Sequence, residues 1–146
     1  MSTRPAINQE HMHRYADIVA GDGLDDFVCI GKDGSAYASI NQGDGNNLSP
    51  PTFKGPALWK TAVKGYDQSH VRLADIDGDG RGDYCVTADN GDVRCWRNGG
   101  QGDLADYWQD LGIKFTGKGM GDTQGTHFED INGDVRNPIP MTVYQI

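Results

Sequence analysis

Short apolar runs separated by clusters of glycine, asparagine and aspartate make up most of this chain. Runs of four to eight β-branched, aromatic and small apolar residues bounded by turn residues read as strands. In a first unit, over about 13–64, the pattern predicts strands near Arg14–Ile18, Phe27–Gly31, Ala36–Ile40 and Leu58–Val63. In a second, over about 70–112, it predicts strands near Val71–Ile76, Tyr84–Ala88, Val93–Arg97 and Tyr107–Leu111. Leu104–Leu111 reads equally as a short helix, because so few residues do not separate the two periods. A third unit starts near His127–Ile131 and ends with the apolar stretch Ile139–Ile146. Residues 1–12 form a polar tail, and Gln42–Pro56 and Phe115–Thr126 read as long surface connectors. The expected fold class is all-β, with about two and a half units of four strands each.

Between the first two strands of the second unit stands Asp75-Ile-Asp77-Gly-Asp79-Gly-Arg81-Gly-Asp83. Carboxylates fall at loop positions 1, 3, 5 and 9, glycine at 6, and the carbonyl of Arg81 at 7. Ca²⁺ takes six to eight hard oxygen ligands, and alternate carboxylates in a tight loop supply them. An EF-hand would place a bidentate Glu at position 12, where this chain has Val86, and its flanks would be helices. The site expected is therefore a strand–loop–strand calcium site with Asp75, Asp77, Asp79, Asp83 and the Arg81 carbonyl as ligands. The bland alternative is an Asp/Gly-rich turn without metal.

The loop recurs. Asp17-Ile-Val-Ala-Gly-Asp22-Gly-Leu-Asp-Asp26 precedes it and Asp130-Ile-Asn132-Gly-Asp134-Val-Arg136-Asn follows it, starting 58 residues before and 55 after. Downstream, residues 26–41 align without gaps on residues 83–98. Self-similarity at this period marks an array or propeller. These residues resemble the FG-GAP/VCBS repeat family, and most closely the repeat modules of fungal secreted proteins, from about Arg14 to Ile146. The resemblance implies four-stranded propeller blades with calcium in the first hairpin loop. It implies an extracellular setting, although Met1–Asn8 carries no apolar signal segment. Some members bind partners or sugars. It extends the candidate metal ligands to Asp17, Asp22 and Asp26 in the first loop, and to Asp130, Asn132 and Asp134 in the third. Both loops depart from the motif: the first carries an inserted residue that leaves Ala20 where position 3 calls for an acid. The third has Val135 in place of glycine and Pro138 in place of the closing aspartate.

Composition supports the same picture. Nineteen Asp stand against two Glu, and 21 of 146 residues are Gly. Asp and Gly serve turns and metal loops, whereas Glu favours helices. A net charge of −8 opposes binding to phosphate backbones and gives cations a reason to stabilise the fold. No stretch of ~18 apolar residues is present to span a membrane.

Three cysteines leave at least one unpaired. Around Asp89-Asn90-Gly91, a three-residue loop would set Cys85 opposite Cys95, while a two-residue turn would put them on opposite faces. Cys29 occupies the equivalent strand of the first unit as a buried apolar residue. Trp59 and Trp108 begin matching fourth strands, and Trp96 lies where it would cover a Cys85–Cys95 bridge. Arg81-Gly82-Asp83 spells an adhesion tripeptide, but Asp83 is needed to close the calcium loop. Gly117-Lys118-Gly119-Met-Gly121 lacks the spacing of a phosphate cradle.

No nucleophile elbow is present. The function expected is a calcium-binding repeat module in ligand recognition, with carbohydrate the leading ligand in lectin-like fashion. The alternative is a calcium-dependent enzyme, a hydrolase or a cyclase or isomerase, with its pocket between blades or between chains. Closed propellers have ~4–8 blades, and two and a half leave unpaired edges. A homo-oligomer, most simply a dimer, is therefore expected.

Overall fold

The computed structural model describes residues 12–16, 19–99, 108–119, 126 and 128. Two antiparallel four-stranded sheets follow one another along the chain, each a meander with its strands in sequence order. The first holds β1 (Met12–Ala16), β2 (Asp25–Ile30), β3 (Ala36–Asn41) and β4 (Phe53–Lys60). The second holds β5 (Val71–Ala74), β6 (Asp83–Thr87), β7 (Val93–Asn98) and β8 (Trp108–Phe115). These are propeller-type blades, as the repeat predicts. The expected third unit, from about 127, lies outside the described residues apart from Phe128.

The main core sits between the sheets. Val28, Ala36, Ala38 and Trp59 of the first blade pack with Val71, Leu73, Ala74, Tyr84 and Val86 of the second. Small residues on β3 let the second sheet approach closely enough to bury Tyr84 and Trp59 completely. Polar contacts pin the same interface. Tyr84 donates its hydroxyl to the Gly34 carbonyl at 2.7 Å, Gln68 Nε2 donates to the Ile30 carbonyl at 2.7 Å, and Trp108 Nε1 to the Trp59 carbonyl at 2.8 Å.

The hairpin turns obey the three-residue geometry. Gly91 has φ +83°, Ala88 and Asp92 close the loop, and Thr87 faces Val93. Cys85 therefore faces Cys95, and the two form a disulfide. Cys29 remains a free, half-buried thiol. Alternation along the strand then corrects the expectation for Trp96. It pairs across from Tyr84 on the opposite face, packing against the inter-blade core, so it does not cover the bridge. Val93, Ile76, Leu111 and Phe128 surround the disulfide instead.

The fourth strands differ from their expected bounds. β4 starts at Phe53, inside the expected connector, and β8 runs on to Phe115. Residues 108–111 are strand, which excludes a helix there. By register, Phe53 opposite Asn41 matches Trp108 opposite Asn98. Trp59, near the far end of β4, is thus not the counterpart of Trp108. The two rings meet edge to face across the blades with centroids 5.0 Å apart. The glycines after β8 are structural. Gly117 lies so close to Gly91 that a Cβ there would fall 2.4 Å from the Gly91 carbonyl carbon.

Removing the Tyr84 hydroxyl leaves a buried Gly34 carbonyl without that donor. Tyr84→Phe is expected to cost about 1–3 kcal/mol in denaturant unfolding, with the fold unchanged. A variant as stable as the parent would show that the two blades are joined by apolar packing alone.

Candidate metal centre

Tight glycine turns build the loop between β5 and β6. Gly78 and Gly80 take φ of +75° and +85°, which L side chains rarely adopt. These turns aim successive backbone N–H groups at Asp75. Its Oδ1 accepts from Gly78 at 2.7 Å and from Asp79 at 3.1 Å, and its Oδ2 accepts from Gly80 at 2.9 Å. Burial pushes the Asp75 carboxyl above its ordinary range, against the pull of these donors.

Asp83 opens β6 and is fully buried. Oδ2 accepts from Ile76 N–H at 2.9 Å and Oδ1 from Asn98 N–H, at the end of β7, at 2.8 Å. One carboxylate thus ties the loop to the third strand. Burial pushes its pKa up to about 6, with the Asn98 and Ile76 donors opposing. Buried in this way, the aspartate of Arg81-Gly82-Asp83 cannot serve an adhesion partner.

Asp75, Asp77 and Asp83 bring one oxygen each to within 4.8 Å of one another. Oxygens bound to one Ca²⁺ at 2.3–2.6 Å span about that distance, so the donor set and its spacing fit the ion. Asp79 does not join the trio. Its Oδ1 accepts the Arg81 N–H at 2.9 Å, and its Oδ2 lies 3.3 Å from both the Arg81 and the Arg97 guanidinium. Arg97 also forms an ion pair through Nε with Asp77, off the line of a hydrogen bond. The sequence reading missed Arg97. The signal was its place, next to Asn98, on the strand that the loop-closing aspartate grips.

The first loop keeps the closing aspartate, without a matching cluster among its described residues. Asp26 is fully buried, and accepts from Val19 and Ala20 at 3.2 Å and from Asn41, the counterpart of Asn98, at 2.9 Å. Burial raises its pKa too. Asp22 is exposed and caps Leu24 N–H at 3.0 Å. Among the described residues, Asp22 and Asp26 belong to no group that could hold a metal. Ala20, at the position where an acid was missing, supplies only a backbone donor to Asp26. Asp17, Asp130, Asn132 and Asp134 lie outside the described residues.

His70 sits in a 3-10 turn just before β5, with Nδ1 2.8 Å from Asp67 and Nε2 3.3 Å from Asp89. It joins the inter-blade connector to the β6–β7 turn, at the opposite end of β5 from the acidic loop. Lys60 is a second buried group the sequence reading did not single out. Its ammonium lies 4.9 Å from the Tyr84 ring and 5.1 Å from that of Trp96, and burial lowers its pKa.

The repeat, the meander sheets and the shared loop closure point to one family. A family model described as an FG-GAP-like repeat matches residues 19–86 and 75–136, overlapping spans that include the second acidic loop whole and the first from Val19 onward. Among curated proteins and among solved structures, none matches the chain. On its repeats and their geometry, this chain belongs to the FG-GAP-like repeat family.

Proposed function

We propose that the protein is a calcium-stabilised propeller-repeat module that acts by binding a ligand. The observation that carries this reading is the convergence of Asp75, Asp77 and Asp83 within 4.8 Å. Asp79 and the Arg81 carbonyl are the further ligands proposed from the same loop. Bound calcium would neutralise the buried carboxylates and brace the loop that joins β5 to β6. A cation that binds the native state alone stabilises it by mass action. With an affinity of about 10⁻⁴–10⁻³ M, as in extracellular calcium modules, 10 mM calcium adds roughly 1.4–2.7 kcal/mol.

The ligand we propose is carbohydrate. Support comes from the family resemblance.

Thermal melts in calcium and in chelator test the metal. The midpoint should rise by several degrees in 10 mM calcium. Asp77→Asn, at an exposed ligand, should lose most of that rise. An unchanged wild-type midpoint contradicts the calcium reading. For the ligand, a glycan array should give hits, and a blank array removes carbohydrate as the ligand.

A further inference from the structure

The four acids of the second loop, Asp75, Asp77, Asp79 and Asp83, bring four negative charges into one turn. Two guanidinium groups already answer them. Arg97 contacts both Asp77 and Asp79 from β7, and Arg81 contacts Asp79 from within the loop. Asp77 is the main cause of the raised Arg97 pKa. The stem of Arg81 is held in place by the first loop, where a Cβ on Gly21 would fall 2.9 Å from its Cγ. Arg97 lies half-buried, with 38% of its side chain exposed, so its charge acts on the loop through less water than a free surface arginine would.

The first blade provides an internal comparison. In the gap-free alignment of residues 26–41 with 83–98, the counterpart of Arg97 is Ile40. Its loop has Ala20 in place of an acid, and Asp22 points to its own backbone. Among its described residues the first blade has no acidic cluster, and Ile40 stands where the second blade has Arg97.

We propose that Arg97 is a built-in counter-cation that competes with calcium for the second loop and sets its affinity. This rests on the calcium reading above. With metal absent, its guanidinium holds Asp77 and Asp79 together and keeps the loop folded. Calcium entry must displace the guanidinium from Asp77 or bind beside its positive charge, and either weakens binding. Removing that unit charge takes the loop from a net −2 to −3. Cation affinity then rises, because attraction at this range in a partly desolvated site exceeds the preorganisation lost. Arg97 is thus a positioning residue that trades affinity for stability of the metal-free loop.

Calcium titration by calorimetry on the full chain, together with melts in chelator, tests this. Arg97→Gln is expected to bind calcium about tenfold more tightly than wild type, and to melt at a lower temperature in chelator. Arg97→Met removes the same charge with a similar stem and serves if the glutamine variant fails to fold. Affinity equal to or weaker than wild type in a folded neutral variant overturns the proposal. Absence of binding heat from wild type and variants alike would instead overturn the calcium reading itself, and the proposal with it.

Discussion

Both described blades depend on a buried aspartate at the start of the second strand. Asp26 and Asp83 each accept backbone N–H groups from the loop before them, and each reaches the N–H of the asparagine that ends the third strand. A loop of tight glycine turns exposes donors that no ladder satisfies, and a buried donor left unpaired is costly. The carboxylate supplies those acceptors and fixes the spacing between the loop and the far strand of the hairpin. Its cost is desolvation, visible in the raised pKa of both groups.

From that constraint the rest of the second loop follows. Once Asp83 and Asp75 are fixed by the backbone, Asp77 is carried to within ligand distance of both. The resulting concentration of negative charge requires compensation. Arg81 and Arg97 provide part of it from the protein itself, and calcium provides the remainder in the reading proposed here. The first loop uses the same closing carboxylate, and no metal-binding group is found among its described residues. The closure is thus the shared element of the repeat, and the metal cluster is an addition to it.

Strand order was legible in the sequence because turn residues punctuate it. The register around Asp89–Gly91 was open between a two- and a three-residue turn, and the positive φ of Gly91 decides for the latter and for the facing of Cys85 and Cys95. The acidic loop was legible because its acids and glycines are local. What was not legible depends on contacts between elements. β4 and β8 carry the same bulges and keep the same register against β3 and β7, so Trp108 corresponds to Phe53; Trp59 was matched to it because β4 starts before the apolar run that marked it. Trp96 was placed on the wrong face because its neighbour in sequence, Cys95, points the opposite way. Arg97 and Lys60 act across strands, and neither belongs to a local motif.

The central claim is that the carboxylates organise the loops through the backbone before any metal binds. Amide hydrogen exchange followed by NMR in chelator tests it directly. The account predicts protected amides at Ile76 and Asn98 in the second blade, and at Ala20 and Asn41 in the first. Exchange at these amides as fast as in an unstructured chain, with protection in the second blade appearing only on calcium addition, would contradict it.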